Sequence, residues 1–446
     1  MPSRLALTAG RYTSRISAWN NWVRLPSDDY PSLARSLRSA GYDCVLGGKM
    51  HYCPEHRYGF RELFPNWNNQ LETHGRGSRR APEDFTEVPE AWTERAKRFR
   101  TTDLLSNPDR DLSYQGRGFM DMVAAQPDGE TLDHDVLVTR HCGRFLRERR
   151  REGGPFFLVA GYLAPHFPLI VPPEYHARYR GRVPPPVPAP RFGGAPPRNY
   201  RQLRAGFGLE TADPALAQHG RELYWALVEW FDGQVGELLA ALRASAVAGN
   251  TIVVYASDHG ESKGDHGLWW KNNMYEPSVS VPLIFSAPGR WAGGQRRRGV
   301  CSLLDLGQTL VDLAGAAPQP DGRSLLKWLD DPQASAPGFA VSEYYAYHIS
   351  SGVVMLREGR YKYVYHTRAS PEHGPERELY DLESDPHEQR DLSAQPGHAA
   401  TLDRLHRRLV AEVGEDPDET ELRARRELAQ GYPGVKARPW TKRSGL

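Results

Sequence analysis

A long amphipathic helix followed directly by an apolar strand is the feature that most constrains the fold of this chain. Over residues 214–246 the apolar side chains recur at the spacing of one helix face, at Tyr224, Leu227, Val228, Phe231, Val235, Leu238, Leu239 and Leu242. Residues 250–256 then form a β-branched pattern that predicts a buried strand of the parallel-sheet type. The same alternation, a helix at 29–40 and a strand at 42–47, opens the chain. We therefore predict an α/β fold in which helices sandwich a large mixed or parallel sheet.

The pattern changes near residue 336, where short alternating segments replace the long helix and the buried strands. These segments predict a small antiparallel sheet, with strands at 339–345, 353–356, 361–365 and 378–382, and a charged helix near 398–413. We predict an α/β catalytic domain over 1–335, without its first strand, and a C-terminal α+β subdomain with an extended tail over 336–446. Residues 64–130 predict an irregular insertion, and the Pro-rich residues 168–200 predict loop.

Composition narrows the class of protein and its partners. The 446 residues are 39% hydrophobic and 25% charged, which is ordinary for a globular protein. The net charge of +2 argues against nucleic acid, and no apolar run approaches the roughly 18 residues of a membrane span. Four widely spaced cysteines indicate a reducing compartment rather than a disulfide scaffold. Without a signal-peptide pattern at residue 1, we expect a cytoplasmic location by default.

A carboxylate and an imidazole stand side by side where the strand at 250–256 ends. Asp258 and His259 follow that strand directly, and ligands bind at the carboxyl ends of strands in open α/β sheets. Adjacent Asp and His side chains offer ligands for a divalent cation, and Gly260 allows a sharp turn after them. The dipeptide alone is equally consistent with a polar loop turn.

Three other segments place cations or imidazoles at strand ends. Lys49 and His51 follow the strand at 42–47, and His166 follows the strand at 156–162 between two prolines. Lys271 comes after two tryptophans and belongs to a rare type, since the chain has 8 Lys against 49 Arg. Lys271 could neutralise an ester oxygen or protonate a leaving group, although a surface lysine lying along tryptophans is the alternative. Convergence of these groups at one sheet edge predicts an anion site.

At this point the motifs resemble those of the type I sulfatases of the alkaline phosphatase superfamily. The hallmark of that family is Cys-x-Pro-Ser-Arg followed by Thr-x-Gly-Arg, and residues 1–11 match it from x onward. The other matching elements are Gly-Lys-x-His at 48–51, Ala-Pro-His at 164–166, Ser-Asp-His-Gly-Glu at 257–261, the lysine at 271 and Glu-Leu-Tyr-Asp-Leu at 378–382. The resemblance covers nearly the whole chain.

The resemblance implies a mechanism for cleaving a sulfate ester. A formylglycine, made from the hallmark cysteine by the formylglycine-generating enzyme, would attack sulfur beside Ca²⁺ or another divalent cation such as Mn²⁺ or Mg²⁺. Asp258 and His259 would be metal ligands, and Arg4 would favour the reactive nucleophile. Lys49 and Lys271 would hold the sulfate oxygens, while His166 or Lys271 protonates the leaving alcohol. His51 would help to break down the covalent intermediate.

The sequence departs from the family pattern at its start. The hallmark cysteine would stand one place before Met1. The family also has an Asp-Asp pair that binds the metal, and by resemblance this pair would lie about 40 residues further upstream. We expect a truncated start, with a genuinely inactive anion-binding relative as the alternative. Ser3 would be a poor substitute nucleophile.

The resemblance leaves the substrate open between neighbouring enzyme classes. A phosphonate monoester or phosphodiester hydrolase of the same superfamily is the enzymatic alternative to a sulfatase. The tail at 430–446 resembles tails that reach a neighbouring subunit in choline-sulfatase-like members, which predicts a homo-oligomer.

Overall fold

Helices and strands alternate through most of the chain. The computed structural model describes residues 2–19, 23–52, 56–64, 123–125, 130–167, 169–206, 209, 214–345 and 349–430. The helices are α1 (Pro2–Ala9), α2 (Leu33–Ser39), α3 (Glu130–Glu148), α4 (Pro173–Tyr179), α5 (Arg198–Gly206), α6 (Pro214–Arg243), α7 (Glu276–Val279), α8 (Leu303–Leu313), α9 (Leu326–Asp330), α10 (Ala399–Val413) and α11 (Pro417–Gln430). The strands are β1 (Asp43–Gly48), β2 (Arg61–Glu62), β3 (Val123–Ala125), β4 (Phe156–Gly161), β5 (Leu169–Val171), β6 (Val253–Ala256), β7 (Leu283–Ser286), β8 (Phe339–Tyr344), β9 (Val353–Glu358), β10 (Tyr361–His366) and β11 (Glu376–Asp381).

A parallel sheet with the strand order β2-β1-β4 carries two of the predicted site segments. Val45 of β1 lies opposite Leu158 of β4 on one side and Arg61 of β2 on the other. Since β1 and β4 run in the same direction, the segments that follow them leave the sheet at the same edge. The predicted α/β fold is confirmed by this sheet, its helices and the four-stranded antiparallel sheet near the C-terminus.

The strand after the long helix differs from its prediction. β6 pairs antiparallel with β7, with Val253 opposite Ser286 and Ala256 opposite Leu283, so the expected parallel pairing is wrong. An apolar, β-branched run reports burial but carries no information about strand direction. Val228, predicted to lie on the buried stripe of α6, is 40% exposed.

The Pro-rich residues 168–200 are not all loop. They contain β5 and α4, and α5 begins at Arg198. Pro173 stands at the start of α4, where a missing N–H costs no hydrogen bond and the fixed φ suits a helix. The irregular insertion predicted at 64–130 contains β3, which pairs parallel with β5. Residues 65–122 and 126–129 of that insertion, and residues 431–446 of the tail predicted at 430–446, lie outside the described residues.

The C-terminal sheet shares one hydrophobic cluster with the beginning of the chain. β8 to β11 form an antiparallel sheet in the order β11-β10-β9-β8, and Leu5 of α1 belongs to the same buried cluster as Tyr363 of β10 and Leu405 of α10. Polar contacts reinforce the junction, since the Tyr12 hydroxyl donates to Glu412 at 2.8 Å and Trp19 Nε1 donates to Glu427 at 2.5 Å. The division at residue 335 stays a prediction, but the two parts pack on a common core.

Among the helices that the structure describes, none is both long and apolar enough to cross a membrane.

A buried carboxylate fixes α8, which packs beside α1. Asp305 is completely buried and accepts hydrogen bonds from the backbone N–H groups of Ser302, at 2.8 Å, and Arg323, at 2.9 Å. The Arg323 guanidinium also donates to it at 3.1 Å. The Ser302 hydroxyl in turn accepts a hydrogen bond from the Asp305 N–H, which completes a capping box.

We predict that Asp305→Ala lowers the free energy of unfolding by about 2–4 kcal/mol, because it leaves buried donors and Arg323 without their acceptor. Urea unfolding followed by circular dichroism measures this change. Asp312→Ala is the matched control, since Asp312 lies on the exposed face of the same helix and its loss should cost about 0.5 kcal/mol or less. Equal effects of the two substitutions would show that the capping box has no special role.

Candidate active site

The first turn of α1 lies against the loop that follows β6. Arg4 Nε donates a hydrogen bond of 2.7 Å to Asp258 Oδ2, and the Ser3 hydroxyl donates at 2.7 Å to the Asp258 carbonyl oxygen. The Arg4 guanidinium also donates to the Lys49 carbonyl oxygen, which follows β1. Arg4 therefore joins two of the strand ends that the sequence predicts to meet.

Lys49 is positioned by the close approach of the ends of β1 and β4. A Cβ atom at Gly48, whose φ is +96°, would lie 2.3 Å from the Gly161 carbonyl oxygen. Because residue 48 has no side chain, the Lys49 N–H reaches that same carbonyl and donates to it at 2.7 Å. His51 follows with a φ of +63°, an uncommon conformation for a residue other than glycine.

The His166 loop is held by a carboxylate from α3. Asp135 is completely buried, and its two oxygens accept 2.8 Å hydrogen bonds from the N–H groups of Leu163 and Ala164. The Ala164–Pro165 peptide bond is cis. His166 Nδ1 lies 2.6 Å from the Phe167 carbonyl oxygen, so Nδ1 carries the proton and Nε2 is free to accept.

The Asp258 loop owes its path to a contact that only glycine allows. A Cβ atom at Gly260 would lie 2.0 Å from the Pro277 carbonyl oxygen, and the Gly260 N–H donates to the Ser278 carbonyl at 2.7 Å. The φ of Gly260 is not positive. Close packing on the 277–278 backbone, rather than the predicted sharp turn, is therefore the reason for a glycine at this position.

Glu261 holds the far side of the same loop. It is buried, and its carboxylate accepts from the Trp270 N–H at 2.6 Å and from the Lys263 N–H at 3.2 Å. Burial raises its pKa. The bond to Trp270 fixes the residue directly before Lys271, so Glu261 orients the lysine through the backbone.

Lys271 and His166 form the closest contact between site side chains. Lys271 Nζ donates a 2.6 Å hydrogen bond to His166 Nε2, and the same ammonium lies 4.7 Å from the centre of the Phe167 ring. The His166 ring lies 5.8 Å from the His259 ring, centre to centre. The alternative of a surface lysine lying along tryptophans is wrong, because the ammonium points to a histidine from another loop.

Burial shifts the pKa values of the site cations downward. Together with the charge of Arg4, burial lowers the pKa of Lys49 to about 7. Burial also lowers the pKa of Lys271 to about 8, although Glu261 and Asp258 act against it. Each lysine can therefore change its charge near neutral pH.

The three histidines are neutral at neutral pH. Burial and the charge of Lys271 hold the pKa of His166 well below its usual range, and burial with Lys49 does the same for His51. Burial lowers the pKa of His259 to about 4, even though Asp258 favours the charged form. Asp258 stays ionised, because Arg4 together with other nearby positive charges outweighs the effect of burial on its pKa.

The predicted metal ligands lie together but are few. Asp258 Oδ1 and His259 Nε2 are 3.7 Å apart, and Asp258 Oδ2 is occupied by Arg4. Ca²⁺ takes about six to eight oxygen ligands and Mg²⁺ about six in total. Within the described ranges, no group of three His, Cys, Asp or Glu ligands includes either residue. These residues by themselves do not fit a divalent cation.

The structure thus gathers the residues predicted from the strand ends. Arg4, Lys49 and Asp258 are linked by hydrogen bonds, and Lys271 is linked to His166. His51 and His259 lie close enough for the site lysines to affect their pKa. Sequence reasoning missed the positioning roles of Asp135 and Glu261, since a single acidic residue in a helix or loop gives no signal of its partners.

Comparison with known proteins gives matches along the whole chain. The Sulfatase family model matches residues 1–316, and the model of the C-terminal part of N-sulphoglucosamine sulphohydrolase matches residues 264–415. Choline-sulfatase from Rhizobium meliloti (strain 1021) is 28% identical over 410 residues, covering 89% of this chain and 73% of that protein. Arylsulfatase K from Danio rerio is 33% identical over 449 residues, covering 92% and 74%. The solved phosphonate monoester hydrolase SpPMH from Silicibacter pomeroyi shares the fold, with a TM-score of 0.67 and 22% identity, covering 94% of this chain and 86% of that one.

The close packing at Gly260 leads to a direct test. We predict that Gly260→Ala lowers the free energy of unfolding by about 1–3 kcal/mol, because the new methyl group collides with the Pro277 carbonyl. Gly236→Ala is the control, since a Cβ there meets no atom within 4 Å and alanine should stabilise the interior of α6 by about 0.5–1 kcal/mol. Urea unfolding curves of both variants give the comparison. A Gly260→Ala protein as stable as the control would show that the loop has room for a side chain.

Proposed function

This chain belongs to the sulfatase family, and on that premise we propose that it hydrolyses a sulfate monoester between Lys49, His166 and Lys271. The observation that carries the proposal is the 2.6 Å contact between Lys271 and His166 beside the Arg4–Asp258 pair. This arrangement brings together groups that can attract an anion and groups that can move a proton. The family and its curated members support sulfate ester hydrolysis.

Two of the three cations in the site, Lys49 and Lys271, form no direct ion pair with a carboxylate of the described residues, which favours an anionic substrate. Lys49, Lys271 and Arg4 are cations, whereas Asp258 is the carboxylate that Arg4 neutralises. Two lysines thus remain to face a sulfate group. In a partly buried site, charge–charge attraction is stronger than in water. Lys49 and Lys271 would hold the non-bridging oxygens as negative charge shifts during cleavage.

Lys271 is the better candidate for the proton donor to the leaving alcohol. The neutral His166 accepts a hydrogen bond from Lys271, so at neutral pH the proton between them resides on the lysine. With a pKa near 8, Lys271 is charged at pH 7 and close to the pH at which a general acid works best. His166 holds the ammonium in place through this hydrogen bond. His51, also neutral, is suited to accept a proton in the second half of the reaction.

The nucleophile is the part of the reaction that the described residues do not provide. Ser3 donates its hydroxyl proton to the Asp258 carbonyl at 2.7 Å, with no basic group beside it in the described chain, so it is poorly placed to attack. Sulfatases generally use formylglycine with a divalent metal, and formylglycine would supply the attacking group. Since residues 2–4 continue the Cys-x-Pro-Ser-Arg motif, we propose that its cysteine is encoded upstream of Met1 in the same frame.

The substrate class can be tested with the protein that includes the residues encoded in frame before Met1. We predict turnover of an arylsulfate, and a loss of about 10²–10⁴-fold in kcat for Lys271→Met, which removes a general acid. The loss should be larger for an alkyl sulfate than for p-nitrophenyl sulfate, because a poor leaving group needs the proton more. Lys327→Met, at an exposed position on α9, is the matched control and should keep wild-type rates.

The same assay separates the rival functions. Faster turnover of a phosphonate monoester or phosphodiester than of sulfate esters would favour the hydrolase class of the Silicibacter pomeroyi neighbour. No turnover of any ester, with formylglycine confirmed by mass spectrometry, would refute the enzyme and leave an anion-binding relative. An equal effect of Lys271→Met on good and poor leaving groups would remove Lys271 from the role of proton donor.

Binding of inorganic sulfate needs no nucleophile and can be measured on the 446-residue chain itself. Lys49 and Lys271 are charged below their pKa values of about 7 and about 8 and lose that charge as the pH rises through them. We therefore predict that sulfate binds at least roughly tenfold more tightly at about pH 6.5 than at about pH 9. Bound sulfate raises the pKa of both lysines, so the affinity begins to fall near the pKa values of the free protein and levels off above the raised pKa values of the complex.

Isothermal titration calorimetry across this range gives the affinity at each pH. Lys49→Met should bind sulfate more weakly at low pH and lose the part of the pH dependence near 7, whereas Lys327→Met should follow the wild type. An affinity that does not change with pH would contradict the proposed anion site.

A further inference from the structure

We propose that His176, His219 and Glu222 form a second metal site, away from the sulfatase site, that binds a transition-metal ion of the Zn²⁺ type. One imidazole comes from α4, and the other two ligands come from the first turns of α6. The proposal rests on the geometry of these residues and does not depend on the sulfatase reaction.

Ligand atoms of the three side chains converge on one point. One atom from each residue lies within 4.8 Å of the others. His176 Nε2 and Glu222 Oε2 are 3.3 Å apart, close to the roughly 3.4 Å that separates two ligands of a tetrahedral ion with bonds of about 2.0–2.1 Å. The two imidazole rings stand at 89° with centres 4.9 Å apart.

Helix packing fixes where these side chains stand. His219 and Glu222 are three residues apart on α6, so they occupy the same face one turn apart. Tyr175 and Tyr179 of α4 pack against the buried cluster that includes Leu223 of α6. The apolar contact between the two helices thus holds His176 opposite the His219–Glu222 pair without needing a metal.

The carboxylate is oriented by the backbone, as metal-bound carboxylates usually are. The Gly181 N–H donates a 2.8 Å hydrogen bond to Glu222 Oε1. That bond leaves Oε2, the oxygen nearest His176, as the ligand atom. Among the residues that the structure describes, the His219 ring has no hydrogen-bond partner.

The ligand types indicate which ion would bind. Two imidazoles and one carboxylate suit Zn²⁺ and its neighbours, whereas Ca²⁺ and Mg²⁺ prefer oxygen ligands alone. The side chains of His176 and Glu222 are 13% and 10% exposed, so an ion can enter from solvent. Three protein ligands also leave a fourth position for water. A bound ion would hold α4 against α6. It would thereby also restrain the segment that connects α4 through β5 to the His166 loop.

Titration of the full 446-residue chain with Zn²⁺ against a chromophoric chelator tests the proposal. We expect one equivalent to bind with a Kd in the micromolar range or below. His176→Ala and His219→Ala should each weaken that binding at least tenfold, and Glu222→Gln should weaken it while keeping the bond to Gly181. His387→Ala, at an exposed position, and Asp258→Asn, in the sulfatase site, should leave it unchanged.

Two further measurements guard against a folding artefact. Circular dichroism of the metal-free variants should match the wild type, since helix packing alone holds the site. Co²⁺ bound to the wild type should give the strong visible bands of four-coordinate cobalt, absent in His176→Ala. The proposal would be overturned if Zn²⁺ did not bind stoichiometrically. It would also be overturned if binding persisted in both histidine variants, or if it were lost in Asp258→Asn.

Discussion

The ion pair between Arg4 and Asp258 is the interaction on which the arrangement of the site depends. It joins residues 254 positions apart and brings α1 against the loop after β6, while the same guanidinium holds the backbone of Lys49. A carboxylate at this depth would otherwise favour its protonated form, and Arg4 keeps it ionised. Removing either partner would leave an uncompensated charge and loosen the contact of α1 with two strand ends.

Once Arg4 neutralises Asp258, the remaining cations determine what the site can bind. Lys49 and Lys271 lie in an environment that disfavours their charged forms, as their lowered pKa values show. An anion between them would restore the balance, so binding and charging of the lysines support each other. The histidines contribute hydrogen bonds rather than charge, because burial keeps them neutral. In the proposed reaction Lys49 and Lys271 therefore bind the anion, and Lys271 also supplies the proton within the same small region.

Residue type and position at a strand end predicted most of the site residues. The direction in which strands pair and the residues that hold the site loops in place depend on tertiary contacts. Lys49, His166 and Asp258 could be placed because each directly follows an apolar run, and parallel neighbours end at one edge. The antiparallel pairing of β6 could not be predicted, since an apolar strand gives no sign of its direction. Asp135 and Glu261 act through backbone N–H groups distant in sequence or across a loop, and no local pattern reveals such partners. Proline content likewise concealed α4, because proline favours both loops and the first turn of a helix.

The cluster shared by α1 and the C-terminal sheet has a consequence for how the protein is made. Leu5 packs with side chains of β10 and α10, and Trp19 is bonded to Glu427 near the end of the described chain. On the ribosome, α1 emerges long before these partners exist, so Arg4 cannot be held in place until nearly all of the chain has been synthesised. The parallel sheet of β1 and β4 can form earlier, with its strand ends still apart. Assembly of the site is thus a late event in synthesis, and a ribosome that stops before residue 400 would release a chain with a sheet but without an organised site.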